Sequence, residues 1–404
     1  MQKNLLLYAF LILLASCSKD KNYLDLSTDP VFNLNANEHV LRIGVQSDSE
    51  WDVTNRNTWC TVMRNSSSGN DSLVITVQTN IAREKRSGEL AITNKDKNLT
   101  ISINQTAATG EYHFKIPVIF HVLYTDASDP KTNIPTHQLS QILDEINSLY
   151  DGSIPGSVNM NLEFTLATHD PGGNPLSEAG IHRIQRNNIK LSYDNFLNNK
   201  YGDAQWLWDQ NKYINVVIFT FEERGVVGVT FLAYTPSSHP LEDLPKGDAY
   251  YTRYPTDQAH CIAMNNFWVN WYDPTPEGDQ SVFSHGLAHE LGHYLGLRHA
   301  FYREGDDTDD YCDDTPNYDR TAYETTMQKN APWEERIQRI AFDGTPFIST
   351  NIMDYDYGWK NLFTPDQRAR VRHVLEYSPL IPGPKIPTSL TRGAGITEPG
   401  IIME

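Results

Sequence analysis

A short stretch near residue 290 has the spacing of a metal site that carries its own base. His289 and His293 are four residues apart, so in a helix both imidazoles lie on one face and can reach a single ion. Glu290 follows the first histidine, where its carboxylate can address a water at the open coordination position. His299 can join only if the helix ends, because six more helical residues would add roughly 9 Å of rise. Gly296 permits that turn, since glycine tolerates a positive φ.

The pattern therefore predicts a zinc site with His289, His293 and His299 as ligands and Glu290 as general base. Three histidines and one glycine at these offsets should arise by chance in fewer than roughly one such chain in a thousand. The alternative is a helix with surface histidines, and a spare one such as His285 would fit that description. The complete array favours hydrolysis by an activated water.

The composition excludes several classes of partner. The chain has 404 residues, 39% of them hydrophobic, and a formal net charge of -18. This length and hydrophobic content suffice for two or three packed domains. The acidic balance argues against nucleic acid as a partner, and against binding to an anionic membrane by charge.

The N-terminal segment has the pattern of a targeting sequence. Lys3 precedes an apolar run at residues 5–15 that is too short to span a bilayer in the usual way. The run ends in Leu14-Ala15-Ser16-Cys17, which resembles the bacterial lipobox, whose cysteine is lipidated and becomes the new N-terminus. An ordinary secretory signal or a short anchor is the alternative.

The lipobox resemblance implies a signal peptide at 1–16, a lipid anchor on Cys17 and a tether at 17–30. It also implies an exported protein of the bacterial cell envelope, attached to the outer membrane. The sequence leaves open whether the protein faces the periplasm or the exterior.

Three further cysteines remain, which is an odd count for an exported protein. Cys60 lies in an apolar strand pattern and is predicted to be a buried thiol. Cys261 and Cys312 both belong to the second domain, and we expect them to form a disulfide.

Residues 31–108 have the pattern of an all-β domain. Apolar residues alternate with their neighbours at 73–77 and again at 99–103. Turn-forming pairs interrupt the runs, and no helical period appears. The segment is therefore predicted to be a small immunoglobulin-like sandwich.

This segment resembles a BACON domain. The resemblance rests on Glu50-Trp51-Asp52-Val53, Trp59, Ser68-Gly69, Thr79-Asn80, Arg86-Ser87-Gly88 and Ile103-Asn104-Gln105. It implies either carbohydrate or mucin binding or a spacer role. Trp51 and Trp59 can be stacking platforms for a glycan or part of the core, and core packing with a spacer role is the favoured interpretation.

Residues 112–378 mix strand and helix patterns, which is typical of an α+β domain. Apolar runs predict strands at 116–123, 158–167, 213–220 and 226–234. Apolar residues at helical spacing predict a helix around 139–149. The helix that carries the zinc motif is predicted to start near Ser281.

The last helix has a complete start signal. Thr364 is predicted as N-cap, Pro365 as the first helical residue, and Gln367 as the partner that completes a capping box. The helix should end before Pro379. Residues 379–404 are rich in proline and glycine and are predicted to be a disordered tail.

The second domain resembles a metzincin of the pappalysin type over about residues 112–378. Beside the zinc motif, the matching segments are Asn351-Ile352-Met353-Asp354-Tyr355, Ile116-Pro117-Val118, His121-Val122, Leu166-Ala167, Asp170-Pro171, Gly180-Ile181-His182-Arg183, Asp314-Thr315-Pro316 and Asn361-Leu362-Phe363-Thr364. Thr165 stands where many relatives carry cysteine, which puts the family's disulfide pattern in doubt here. The resemblance implies a zincin-like fold and a peptidase activity.

The resemblance also assigns roles to two further residues. Met353 would lie in the Met-turn, an apolar floor beneath the histidines, without ligating the metal. Tyr355 would approach the zinc and stabilise the oxyanion of the transition state. The alternative for Tyr355 is a packed aromatic with its hydroxyl satisfied, and the sequence does not decide between the two.

Two further segments are candidate binding regions. The strand at 228–233 is expected to bind an extended peptide through main-chain hydrogen bonds. The acidic run contains Asp306, Asp307, Asp309, Asp310, Asp313 and Asp314, whose oxygens suit Ca²⁺. Some members of the family bind calcium in this region, although the spacing is not that of an EF-hand, and a solvated surface loop is the alternative.

The leading hypothesis is an exported, lipid-anchored zinc endopeptidase that acts on peptides or proteins. The rival is a surface glycan-binding or adhesion protein, in which the β-domain binds and the protease fold is a scaffold. A metal-dependent hydrolase of non-peptide bonds is a third hypothesis, which the Met-turn disfavours.

Overall fold

The computed structural model describes most of the chain, as two compact units. The described residues are 23–247, 258–305, 308–355, 357–387 and 401–403. One unit contains residues 23–79 and 85–106, and the other contains residues 80–84 and the chain from 107 onward. Cys17, Asp306 and Asp307 lie outside the described residues. Within those residues, no helix has both the length and the apolar character needed to cross a membrane.

The first unit is built from strands in two sheets, which confirms the predicted all-β class. Its strands are β1 (Leu24–Leu26), β2 (Val31–Leu34), β3 (His39–Ser47), β4 (Glu50–Asn55), β5 (Cys60–Val62), β6 (Ser66–Ser68), β7 (Asp71–Val77), β8 (Arg86–Asn94) and β9 (Asn98–Gln105). One sheet has the order β1-β3-β7-β5 and the other β2-β9-β8-β4-β6. A single apolar cluster takes side chains from both sheets, as in a sandwich.

Both tryptophans that could have served as glycan platforms belong to this core. Trp51 and Trp59 are only 1% and 5% exposed. The indole of Trp51 donates a hydrogen bond to the carbonyl oxygen of Gly69 at 3.0 Å, so its one polar atom is satisfied inside the fold. Neither ring is available to stack on a ligand, and the core interpretation is the correct one.

The second unit has a central mixed sheet with helices packed against it. Its strands are β10 (Phe114–Tyr124), β11 (Leu162–Leu166), β12 (Ile181–Gln185), β13 (Lys190–Leu191), β14 (Ile214–Phe221), β15 (Gly228–Phe231), β16 (Ile262–Asn265), β17 (Tyr272–Thr275), β18 (Gly278–Ser281), β19 (Gln338–Ile340), β20 (Pro346–Ile348) and β21 (Ile402–Met403). Its helices are α1 (Thr136–Tyr150), α2 (Tyr193–Leu197), α3 (Val282–Tyr294), α4 (Arg320–Thr326), α5 (Trp333–Arg336) and α6 (Pro365–Tyr377), with 3₁₀ turns at Asp203–Trp206 and Asn266–Trp268. This arrangement confirms the predicted α+β class.

The central sheet has the order β11-β10-β14-β16-β15-β21, with β12 also paired to β10 and β13 to β14. The strands from β11 to β16 pair in parallel, whereas β15 runs antiparallel to β16. Strand β14 is apolar on both sides, as expected for a strand covered on both faces. Val216 and Ile218 face one apolar cluster, while Val217 and Phe219 face the other.

Helices α1 and α6 pack in the same apolar cluster as α3, the helix that carries the metal motif. Helix α1 buries the apolar stripe predicted from its spacing, and the hydroxyl of its last residue, Tyr150, donates to the carbonyl oxygen of Ala288 on α3 at 2.8 Å. Helix α3 begins after Ser281, whose side chain accepts from the backbone of Ser284. Helix α6 has the predicted capping box between Thr364 and Gln367. These starts were predicted correctly because capping is encoded by residues close in sequence.

The segment after α6 corrects the prediction of a disordered tail. Leu380 and Ile381 are each 1% exposed and pack into the unit. Strand β21 pairs antiparallel with β15, matching Thr230 with Met403 and Phe231 with Ile402. The predicted disorder is therefore wrong for residues 379–387 and 401–403, whose apolar side chains find partners, whereas residues 388–400 lie outside the described part of the chain.

The predicted disulfide between Cys261 and Cys312 is also wrong. Cys60, Cys261 and Cys312 are all free and buried. Cys261 packs in the second apolar cluster of the sheet, while the backbone of Cys312 belongs to a loop and donates to the carboxylate of Asp310. Burial raises the pKa of Cys60 to about 12 and raises the pKa of the other two thiols as well. All three are therefore unreactive as they stand.

We expect the stability of the fold to be independent of reducing agent. The melting temperature should be the same with and without dithiothreitol, because no described cysteine forms a disulfide. Iodoacetamide should modify these three thiols only after denaturation, as counted by intact mass. A melting temperature that falls on reduction, or one cysteine pair that resists alkylation in denaturant, would contradict the correction.

Candidate active site

The three motif histidines converge in a buried position. The Nε2 atom of His293 lies 3.0 Å from Nε2 of His289 and 3.0 Å from Nε2 of His299. Their exposed fractions are 0%, 6% and 4% respectively. Within the described residues, these are the only three His, Cys, Asp or Glu side chains that bring potential ligand atoms within 4.8 Å of one another.

A helix-ending turn brings the third histidine back to the other two. Helix α3 ends at Tyr294 with Leu295 as its C-cap, and the next residue, Gly296, has φ +91°. The N–H of Leu297 donates to the carbonyl oxygen of Gly292 at 2.9 Å, and the N–H of Gly296 donates to that of His293 at 2.8 Å. These two bonds form a Schellman motif, which requires a residue that adopts a positive φ. A Cβ atom at Gly296 would also lie 2.7 Å from Cγ2 of Val374, so glycine is required on two grounds.

Main-chain carbonyl groups fix the orientation of two of the rings. Nδ1 of His289 lies 2.8 Å from the carbonyl oxygen of Ile352, and Nδ1 of His293 lies 2.8 Å from that of Leu297. A carbonyl oxygen only accepts, so Nδ1 of each ring must donate. Burial, followed by the influence of His299, holds the pKa of both rings well below the ordinary value. Both rings are therefore neutral, with the proton on Nδ1 and a bare lone pair on Nε2.

This donor set fits a divalent transition-metal ion. Two bare lone pairs at 3.0 Å cannot hydrogen-bond to each other, and their repulsion is relieved by a cation placed between them. Tetrahedral zinc with nitrogen ligands at about 2.0–2.1 Å separates those nitrogens by about 3.3 Å, close to the spacing seen here. Neutral imidazole is also the protonation state that binds such a metal.

The predicted Met-turn lies beneath the histidines. Met353 is fully buried, and a Cβ atom added to Gly292 on α3 would overlap its sulfur. The carbonyl oxygen of Met353 accepts from the N–H of Ala300 at 3.0 Å. The preceding residue, Ile352, supplies the carbonyl group that orients His289. The thioether thus packs against the helix that carries two of the ligands.

Sequence reasoning missed the polar anchor of this turn. The buried carboxylate of Asp354 accepts from the hydroxyl of Tyr318 at 2.6 Å, from the N–H of Tyr355 at 2.7 Å, and from the hydroxyl of Ser349. The guanidinium of Arg339 lies 3.7 Å away. A buried carboxylate needs such partners, so Asp354 ties the segments around Tyr318 and Arg339 to the Met-turn.

The predicted base lines a cavity of about 390 Å³ beside the triad. The cavity is lined by Gly225, Val226, Val227, Gly228, Val282, His285, Gly286, His289, Glu290, Arg303, Arg320, Asp354, Tyr355 and Lys360. Glu290 is 3% exposed. A Cβ atom on Gly228, the first residue of β15, would lie 2.6 Å from Cγ of Glu290. The absence of a side chain at Gly228 lets the strand approach the carboxylate directly.

Tyr355 lies beside two of the ligand rings. Its ring centroid is 4.5 Å from that of His299 and 5.2 Å from that of His289. The guanidinium carbon of Arg320 lies 4.3 Å from the same ring on its face. This position suits both the packing role and the catalytic role considered for this tyrosine.

The strand expected to bind peptide is only partly open. Strand β15 is paired with β16 on one edge, and on the other edge β21 covers Thr230 and Phe231. The N–H of Leu232 is likewise taken by the carbonyl oxygen of Ile401 at 2.8 Å. The open edge is therefore shorter than the predicted 228–233. Among the described residues, only Gly228 and Val229, next to Glu290, have no strand partner on that edge.

The described carboxylates of the acidic run do not gather around a common point. Asp309 and Asp310 accept from nearby backbone N–H groups. Asp314 accepts from the N–H of Asp366 in the first turn of α6, at 2.9 Å. Because Asp306 and Asp307 lie outside the described residues, calcium binding here stays a prediction. A calcium-dependent rise in melting temperature at constant zinc would support it.

Comparison with known protein families finds a match in each part of the chain. Residues 198–376 match the Peptidase_M43 family, described as pregnancy-associated plasma protein-A. Residues 49–106 match BACON, described as a putative N-terminal binding domain. The first of these matches includes the triad, Glu290 and Met353. No curated protein shows a significant similarity to the chain.

Several solved structures resemble part of the chain. Mature mirolysin of Tannerella forsythia with a cleaved peptide is 21% identical with a TM-score of 0.44, covering 65% of this chain and 92% of that chain. Mirolysin with compound 9 is 19% identical with a TM-score of 0.43, covering 65% and 91%. A promirolysin variant of the same organism is 21% identical with a TM-score of 0.42, covering 66% and 82%.

We expect Gly292→Ala to weaken metal binding. The added Cβ would overlap the sulfur of Met353 and displace the turn whose Ile352 carbonyl orients His289. Loss of such an orienting contact typically costs about 10–100-fold in metal affinity, measurable by competition with a chromogenic chelator. The control is Gly225→Ala in the same cavity, where an added Cβ meets nothing within 4 Å. Equal affinities in the two variants would show that the Met-turn does not position the ligand.

Proposed function

We propose that this chain, whose residues 198–376 form a metalloendopeptidase domain of the Peptidase_M43 family, is an exported zinc endopeptidase with Glu290 as its general base. The observation that carries the proposal is the convergence of His289, His293 and His299 beside a cavity lined by Glu290. Three nitrogen ligands leave a position for water or substrate, as in catalytic zinc sites.

The chemistry divides between the ion and the residues around it. A zinc ion held by the triad would polarise the scissile carbonyl and make a water acidic enough to attack it at neutral pH. Glu290 takes the proton of that water and then delivers it to the amine that leaves, so one carboxylate serves as base and acid. Because Glu290 directly follows the ligand His289 on α3, the helix keeps its carboxylate close to the metal site.

The open end of β15 places the peptide for this step. The described pairing of β21 with β15 covers Thr230 and Phe231, and Gly228 and Val229 have no partner on that edge among the described residues. An extended substrate can pair there through its main chain. Because Gly228 approaches Glu290 closely, a peptide on this edge passes directly over the base.

Tyr355 is the candidate for stabilising the oxyanion of the transition state. Its ring lies against His299 and His289, which places the side chain beside the proposed metal site. A donor aimed at developing negative charge accelerates such reactions. If its role were packing alone, removal of the hydroxyl would leave the rate unchanged.

We expect Glu290→Ala to abolish peptide cleavage while zinc stays bound. The change removes the proton carrier but leaves the triad intact, so the rate should fall by about 10²–10⁴-fold or more. Cleavage of a quenched fluorescent peptide and metal content by elemental analysis are the two measurements. Full activity in Glu290→Ala would refute the assigned base.

The same assay resolves the role of Tyr355. Tyr355→Phe should lower kcat by about 10²-fold with KM nearly unchanged, because the hydroxyl acts in the transition state. An unchanged kcat would assign Tyr355 to packing.

Export and lipid anchoring rest on the sequence pattern alone, since residues 1–22 lie outside the described part of the chain. We expect the mature protein to carry lipid on Cys17 and to fractionate with the bacterial outer membrane. Cys17→Ser should abolish incorporation of labelled palmitate and release the protein from the membrane fraction. Palmitate labelling that persists in Cys17→Ser would contradict the lipobox interpretation.

A glycan-binding role for the first unit remains the second candidate, supported by the BACON match at 49–106. The buried positions of Trp51 and Trp59 remove the platforms on which it was first based. Glycan-array binding by the full chain, combined with no proteolysis, would favour this role over the peptidase.

A further inference from the structure

The cavity beside Glu290 extends along α3 and is rich in basic groups. Beyond His289 and Glu290, its wall continues about two turns toward the start of the helix, to Val282. Three basic side chains line it, namely Arg303, Arg320 and Lys360. The net charge of the whole chain is -18, so this concentration of positive charge is a local property of the cavity.

The acidic groups of the lining are already engaged. Asp354 is held by Tyr318, Ser349 and Arg339, and Glu290 is the proposed base. Among the basic groups, Arg320 forms an ion pair with Glu324 at 2.6 Å.

Lys360 differs from Arg320 in this respect. It forms no ion pair and no side-chain hydrogen bond with any residue that the structure describes. Its ammonium group therefore remains available to a ligand carboxylate.

The charge of Lys360 acts on the face of α3 that lines the cavity. After burial, it is the next cause that lowers the pKa of His285 to about 4. His285 is therefore neutral near pH 7, with Nδ1 donating to the carbonyl oxygen of Ser281 at 3.0 Å. Glu145, 4.0 Å from Nδ1 of His285, is outside the cavity lining. The positive charge at this end of the cavity belongs to Lys360.

The backbone holds Lys360 in a conformation that lysine rarely adopts. Its φ is +43°, in the left-handed region that favours glycine and asparagine. The flanking residues are fixed, because the N–H of Trp359 donates to Ser349 at 3.0 Å and that of Asn361 donates to Thr350 at 2.9 Å. A lysine kept at a costly position by its surroundings suggests a role for its side chain.

We infer that this cavity receives the substrate group next to the scissile bond and that Lys360 selects a carboxylate there. The inference rests on the proposed peptidase function and adds its substrate class. A carboxylate can come from an aspartate or glutamate side chain within a peptide, or from the C-terminus of a short peptide. Either would pair with the half-buried ammonium group of Lys360, where an ion pair is screened less than at a fully exposed surface.

The test uses matched peptides and the full chain loaded with zinc. A peptide library first locates the position flanking the cleavage site that prefers acidic residues. Quenched peptides with glutamate or its uncharged isostere glutamine at that position are then compared by kcat/KM. We expect the wild-type protein to prefer glutamate by about tenfold or more, and the preference to weaken as salt rises.

Variants of Lys360 separate its charge from its backbone role. Lys360→Gln should bring the glutamate-to-glutamine ratio near one, Lys360→Glu should reverse it, and Lys360→Arg should largely retain it. Lys360→Asn suits the positive φ, so it should fold with undiminished melting temperature and still lose the preference. The matched control is Lys329→Gln, an exposed lysine outside the cavity lining, which should behave as wild type.

Two further arms distinguish the alternatives. Peptides with a free C-terminus are compared with their amides, and a preference confined to the free acid assigns the carboxylate to a chain end. Cleavage that needs Glu290 but shows equal rates for glutamate and glutamine, and for acid and amide, overturns this inference alone. Absence of cleavage, or cleavage that survives in Glu290→Ala, overturns the proposed function instead.

Discussion

Two hydrogen bonds from ring nitrogens to main-chain carbonyl oxygens determine what the site can do. The carbonyl groups of Ile352 and Leu297 fix the tautomers of His289 and His293, so both Nε2 lone pairs point at one place. Because these acceptors belong to the backbone, the ligand geometry depends on where two turns lie. The Schellman turn at Gly296 and the Met-turn must both be positioned to within a fraction of an ångström.

The surrounding fold supplies that accuracy through packing and buried polar contacts. Met353 rests on Gly292, while Asp354 and Arg339 tie the Met-turn to the segments around it. Tyr150 of α1 also donates to the carbonyl group of Ala288, just before the first ligand and one helical turn before Gly292. Two separate elements therefore hold α3 close to its ligands, and a change in either element reaches a ligand through a single contact.

The sequence predicted what is encoded locally and missed what depends on distant partners. The zinc motif, the end of its helix at Gly296 and the capping box of α6 are patterns of neighbouring residues, and the structure has each of them. The predicted disulfide between Cys261 and Cys312 was wrong because positions in the sequence do not show how far apart two side chains lie in the fold. The segment after α6 was predicted to be disordered because it is rich in proline and glycine. Its apolar residues Leu380, Ile381 and Ile402, which pack or pair in the structure, indicated the opposite. The roles of Asp354 and Lys360 depend on the positions of other side chains in the fold, which no local sequence pattern predicts.

The ligand set itself has a chemical consequence. Three neutral rings contribute no negative charge, unlike sites in which a carboxylate is a ligand, so a divalent ion bound here keeps its full charge. Under the proposed function, each hydrolysed peptide bond would create a fragment with a new terminal carboxylate, and that anion would be attracted to the same centre. Turnover would then generate its own competitor, and simple anions in the medium would act in the same direction. The rate at which fragments dissociate would be as important for turnover as the bond-breaking step.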